Sequence, residues 1–201
     1  GKLAADKVLQ TLSKAKAQVD AKTLNTVLSA YLKCRDYQAA LVAFEVVTGL
    51  RADGKAGPPI HDDAVSYIVP NIYALDLYSG TCVLKAQVQL NNYAAVKKVL
   101  ESLVNMSSPL KGGQGGRLFG NRILVDTQAY NIALSAALKC SEIGDAENLL
   151  ATMVDRGVAD IYSYNTVLNL YATVIRDVGT SNANKNLYND RMWELFNEMN
   201  G

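Results

Sequence analysis

Apolar residues recur along this chain at intervals of three and four, in paired stretches separated by short polar breaks. A spacing near 3.6 residues predicts amphipathic α-helices rather than strands. Leu28 and Leu32 in one stretch, and Leu41 and Phe44 in the next, illustrate the two stripes. Laid on itself, the chain repeats. The clearest copy is TQAYNIALSAALKCSEIGDAENLLATMVDRGVAD, residues 127–160, after which IYSYNTVLNLYA restarts the pattern, so Asn131 and Asn165 lie 34 residues apart. An earlier copy, AKTLNTVLSAYLKCRDYQAALVAFEVV, begins at Ala21 and puts Asn25 where Asn131 stands; it carries Lys33-Cys34 in the place of Lys139-Cys140. A third, LYSGTCVLKAQVQLNNYAAVKKVLESL, begins at Leu77 with Thr81 in place of the asparagine. Fifteen residues beyond these anchors stand Ala40, Val96 and Ala146, and four further on Phe44, Leu100 and Leu150, so the register holds through both halves of the unit.

One helical hairpin of this length cannot bury both of its stripes, and neighbours must stack to close a continuous core. The predicted fold is therefore all-α: a solenoid of antiparallel helix pairs, an α-α superhelix, forming one segment over residues 1–201. It comprises a partial repeat at 1–20 and repeats at about 21–54, 77–110, 127–160 and 161–201. The opening AADKVLQTL reads as the second helix of a repeat whose first helix is missing, as in a chain that begins inside a longer protein. Loop insertions are expected at about 49–75, 107–125 and 176–187, where GLRADGKAGPPIHDD, the glycine-rich SSPLKGGQGGRLFGNR and DVGTSNANKN interrupt the periodicity. DAVSY at 63–67 imitates DIYSY at 160–164 and offers Asp63 as another start for the second full unit. Asp76 is the preferred start, because Ala86 then aligns with Ala30 and Ala136.

An aspartate precedes every unit: Asp20, Asp76, Asp126 and Asp160, each followed five residues later by Asn25, Thr81, Asn131 or Asn165. An N-cap is one explanation, since a carboxylate accepts from the free amides of the first helical turn and suits the positive end of the helix dipole.

Charge and composition narrow the functional classes. The formal net charge is +1, which hides an alternation: residues 1–35 and 77–126 are basic, 36–76 and 127–201 acidic. The basic stretches could meet a polyanion, although the whole is far from strongly basic. No apolar run approaches the roughly 20 residues of a membrane span. Cys34, Cys82 and Cys140 are odd in number and have no metal-ligand spacing, which predicts reduced thiols in packing roles. His61 with Asp62 and Asp63 lacks a second histidine and reads as a solvated turn, so no metal or cofactor is expected. GGQGGRLFG lacks the Lys-Ser/Thr ending of a phosphate-binding loop. Trp193 is expected in the core, or beneath a further C-terminal repeat. No nucleophile with a base and an orienting group can be assembled, and the chain reads as non-catalytic.

The unit of about 34 residues, with YSYNTVL, TQAYNIAL, GDAENLLATMVDRG and ELFNEM, resembles the pentatricopeptide repeat family. The resemblance implies a right-handed superhelix whose first helices line a concave face that binds single-stranded RNA, about one base per repeat. It implies base-reading pairs Asn25 with Asp76, Thr81 with Asp126 and Asn131 with Asp160, with Asn165 left without an assignable partner. Uracil, guanine and uracil are the implied preferences. Lys22, Tyr78, Gln128 and Tyr162 would flank the bases, where the family usually places aliphatic residues. An Asn amide carries a donor and an acceptor and suits the Watson-Crick edge of an unpaired base, while the Asp fixes its orientation. Lys33 and Lys139, eight residues beyond Asn25 and Asn131, lie about 80° around the same helix and could meet phosphates. The implied setting is a mitochondrion or chloroplast, with a role in transcript processing, stability or translation. The alternative is a protein-protein scaffold or assembly subunit of a large organellar complex, such as a ribosome.

Overall fold

The computed structural model describes residues 2–55 except 15 and 17, 68–107, 125–177 and 179–200. His61, Asp62, Asp63 and the GGQGG stretch lie outside the described residues. Among those described, every regular element is helical: α1 (Lys2–Lys14), α2 (Ala21–Lys33), α3 (Tyr37–Thr48), a single 3-10 turn (Ile72–Ala74), α4 (Leu77–Gln89), α5 (Tyr93–Ser107), α6 (Thr127–Cys140), α7 (Ile143–Asp155), α8 (Ile161–Arg176) and α9 (Asn182–Asn200). The fold is all-α, and neighbouring helices pack in sequence order as hairpins α2/α3, α4/α5, α6/α7 and α8/α9. None of the described helices is long and apolar enough to cross a membrane.

The chain divides into two compact units, Gly1–Val125 and Asp126–Gly201. In the first, α1 packs on α2, α3 on both α2 and α4, and α2 directly on α4. In the second, α7 packs on α6 and α8, α6 on α8, and α8 on α9. First helices of consecutive hairpins thus touch in each unit, α2 with α4 and α6 with α8. The repeat equivalences carry the cores. Ala40, Val96 and Ala146 are buried at the second-helix position, as are Phe44, Leu100 and Leu150 one turn later. Leu28 and Leu134, at the matching point of α2 and α6, are both 0 % exposed.

The four aspartates begin the four first helices by one device. Asp20, Asp76, Asp126 and Asp160 each accept from the amide three residues on, at Thr23 (2.8 Å), Ser79 (2.7 Å), Ala129 (2.9 Å) and Ser163 (2.8 Å). α4 begins immediately after Asp76, and the alternative start at Asp63 lies outside the described residues. Three of the four capped first helices end in the same turn, whereas α8 runs on to Arg176 and ends at Asp177 in extended backbone. Arg35, Asn91 and Ser141 occupy equivalent positions with φ of 58°, 54° and 58°. The amide after each returns to a carbonyl five residues back: Asp36 to Tyr31, Asn92 to Gln87 and Glu142 to Ala137. This is the Schellman closure, usually made by glycine. Here three non-glycine residues accept a left-handed conformation costing about 1 kcal/mol, because the turn satisfies the last carbonyls and brings the second helix back along the first.

Three expectations are corrected. Residues 182–187, placed in a loop insertion, form the first turns of α9, so only a short connection separates α8 from α9. Trp193 is not in the core. It is 57 % exposed and meets Phe196 edge-on at a centroid distance of 6.0 Å, because α9 spends its packing face on α8. Cys34 and Cys140 are exposed rather than packed, since each sits at a helix end where the chain turns outward; Cys82, within α4, is buried.

Candidate functional site

Two of the implied pairs are formed, both between touching first helices. In the first unit, Asn25 Nδ2 on α2 donates to Asp76 Oδ2 at 2.7 Å. In the second, Asn131 Nδ2 on α6 donates to both Asp160 oxygens, at 3.2 and 3.3 Å. The N-cap reading and the pairing reading are therefore both true of these two aspartates. Asp76 gives Oδ1 to the Ser79 amide and Oδ2 to Asn25, so one carboxylate starts its own helix and anchors the asparagine of the preceding repeat. At Asp160, partial burial alone would raise the carboxyl pKa. Hydrogen bonds from the Ser163 amide and hydroxyl and from the Asn131 side chain outweigh it and hold the group below its ordinary value.

A carboxylate only accepts, which settles the orientation of both amides: the nitrogen faces the aspartate and the oxygen faces away. The oxygens then meet different surroundings. Ser163 Oγ lies 2.8 Å from both Asn131 Oδ1 and Asp160 Oδ1, so its one proton is shared between the two acceptors. Asn25 Oδ1 is buried without a hydrogen-bond partner. The matching serine, Ser79, directs its hydroxyl to the Asp76 carbonyl at 3.0 Å instead.

One turn along, each asparagine helix carries a serine that the sequence reading passed over. Ser29 Oγ lies 2.7 Å from the Tyr78 hydroxyl, and Ser135 Oγ 3.1 Å from the Tyr162 hydroxyl. Each serine also donates its only proton to a carbonyl four residues back, Ser29 to Asn25 (2.7 Å) and Ser135 to Asn131 (2.8 Å). The tyrosine is therefore the donor in both cross-helix bonds. The signal was present in NTVLS and NIALS, where the serine keeps its distance from the asparagine, but only tertiary contact shows what it meets.

In the second unit these groups frame an open recess of about 640 Å³. Gln128, Asn131, Ser135, Asp160 and Tyr162 line it, together with Asp126 and Thr127. Its walls offer an amide, a carboxylate, hydroxyls and an aromatic ring, and its size falls within the usual range of ligand pockets. Tyr78 and Tyr162 are each about half exposed, at 49 % and 56 %. Lys22, Gln128, Lys33 and Lys139 are exposed, and neither Lys33 nor Lys139 is in an ion pair with another described residue.

The remaining sites fall differently. Thr81 is 2 % exposed, and its hydroxyl donates back to the Tyr78 carbonyl at 2.8 Å, so it does not present a base-reading group. A short β-branched hydroxyl satisfies itself on its own helix where a longer amide reaches across. Asp126 caps α6. Asn165 is exposed on α8, and among the described residues it is hydrogen-bonded to no aspartate. Among the described residues no group of His, Cys, Asp and Glu could hold a metal ion. No protein-family model matches the chain, and no curated protein is significantly similar to it in sequence.

Proposed function

We propose that this chain is a single-stranded RNA-binding repeat protein, with Asn25–Asp76 and Asn131–Asp160 as its two base-reading pairs. The observation that carries the reading is the recurrence, in two units, of one cross-helix arrangement in which a carboxylate orients an amide. Beside Asn131 that arrangement lines an open recess. Unpaired bases carry donors and acceptors on their Watson-Crick edges; the oriented Asn131 amide has a spare N–H and a spare lone pair for such an edge, whereas Asn25, its oxygen buried, offers only the spare N–H. The resemblance to pentatricopeptide repeats points to uracil at both sites. The guanine site at Thr81 with Asp126 is dropped, because Thr81 is buried. Lys33 and Lys139 would neutralise phosphates, and the chemistry is binding, not catalysis. A setting in a mitochondrion or chloroplast, acting in transcript processing, stability or translation, rests on the same resemblance.

Fluorescence anisotropy with oligouridylate, oligoadenylate and duplex RNA tests the reading. Oligouridylate should bind best. N25A/N131A should weaken it, and K33A/K139A should reduce the slope of log K against log salt by about 1.4, at about 0.7 per single-strand phosphate contact. Affinity indifferent to salt and to all four substitutions would refute it. A second reading, a scaffold within a large organellar complex, is favoured by the apolar groups exposed on α9: Leu187, Trp193 and Phe196. In that case W193A/F196A would abolish co-purification of protein partners, and RNA affinity would be absent.

A further inference from the structure

From the two serine–tyrosine contacts we infer that Ser29 and Ser135 are positioning residues, which hold the Tyr78 and Tyr162 rings as the aromatic walls of the two base sites. The inference deepens the RNA reading and rests on it. The contact recurs in both units with the same polarity, tyrosine donating and serine passing its own proton to the asparagine carbonyl. The bond also sits one helical turn from the carboxylate–amide pair. Each pair of first helices is thus tied at two points, with the amide at one end and the ring at the other.

The chain supplies an internal control. Where the next repeat carries tyrosine two residues after its aspartate, at Tyr78 and Tyr162, the preceding repeat carries serine at 29 and 135. Where the next repeat carries Gln128 instead, the preceding repeat carries Lys85 at that position. Serine and tyrosine occur together or not at all, as expected if they act as one unit. A half-exposed tyrosine left free would sample several rotamers. Pinned by its hydroxyl, it keeps a ring at the recess edge at no cost to be met on binding. Tyr162 and Ser135 both line the recess beside Asn131.

The test uses the full chain, a fluorescein-labelled oligouridylate decamer and a decamer of abasic ribose phosphates. Y78L/Y162L should lose both stacking walls and weaken oligouridylate binding by about 5- to 150-fold for each site the RNA occupies, the range for stacking one base on an aromatic ring. S29A/S135A and Y78F/Y162F each remove one hydrogen bond per site and should weaken it by about two- to tenfold for each site occupied. Combining all four substitutions should add nothing further, because both pairs abolish the same bond. Binding of the abasic decamer should not respond to loss of the bond, since it has no base to stack. An equal loss with the abasic decamer would make the contact a structural clamp and overturn the inference. So would unchanged oligouridylate affinity in S29A/S135A, or additive losses in the combined variant. If the unaltered chain binds no RNA at low salt, the RNA reading itself fails and the inference with it.

Discussion

The two asparagines look equivalent in sequence, yet removing them should have unequal effects on stability. Asn131 loses two kinds of contact on truncation to alanine. One is a long, exposed bond to Asp160 at 3.2 and 3.3 Å, contributing about 0.5 kcal/mol; the other is the 2.8 Å contact from Ser163, whose proton is shared with Asp160 Oδ1, contributing about 0.5–1 kcal/mol. N131A should therefore destabilise by about 1–2 kcal/mol. Asn25 loses a shorter, half-buried bond to Asp76 at 2.7 Å, for which about 1–2 kcal/mol is reasonable. The same truncation removes its buried, unpartnered oxygen, whose desolvation costs about 1–3 kcal/mol. The two contributions nearly cancel, so N25A should be within about 1 kcal/mol of neutral. Thermal unfolding followed by far-UV circular dichroism reads both variants, and the single tryptophan, Trp193, reports directly on the second unit. N131A should lower the midpoint by about 4–16 °C, at about 4–8 °C per kcal/mol for a unit of this size. A midpoint for N25A as low as that for N131A would refute the assignment of the orphaned oxygen. It would show that Ser79 or water satisfies the group.

Three further outcomes follow from the described geometry. G54A should lower the unfolding midpoint by several degrees, because Gly54 has φ +69° and an added Cβ would lie 2.6 Å from the Lys98 carbonyl carbon; an unchanged midpoint would show that residues 50–55 are not held against α5. Thiol titration at pH 8 should count two fast cysteines, the exposed Cys34 and Cys140. Cys82, whose pKa burial pushes up to about 11, should react only after denaturation, and three fast thiols would contradict its burial. Asp53 is held down to about 2, chiefly by the hydrogen bond from Arg51, and Asp160 is held below its ordinary value. Carboxylates lowered on folding contribute stability above their unfolded value near 4 and lose it as pH falls through the folded value. Melting temperature should therefore drop between about pH 4 and pH 2, with a shallower drop in D53N measured by the same dichroism melts.

Local chemistry and periodicity wrote much of this protein into its sequence. The 3.6-residue spacing fixed the helices, and the Asp before each unit fixed where four of them begin, because an N-cap is a contact between residues three apart. The equivalences Ala40/Val96/Ala146 and Phe44/Leu100/Leu150 named core positions correctly, since burial follows from register on a stripe. Tertiary structure decided what depends on partners distant in the chain. Whether Thr81 faces outward, whether Trp193 is covered, and what Ser29 and Ser135 touch are each set by a helix some tens of residues away. The turns at Arg35, Asn91 and Ser141 lacked the glycine that would have announced them. Most telling is the pair Asn25 and Asn131, which hold the same register position, each followed by Leu-Ser three and four residues on. Their difference lies in one serine rotamer on the next helix, and no pattern along a single chain encodes which carbonyl a hydroxyl will choose.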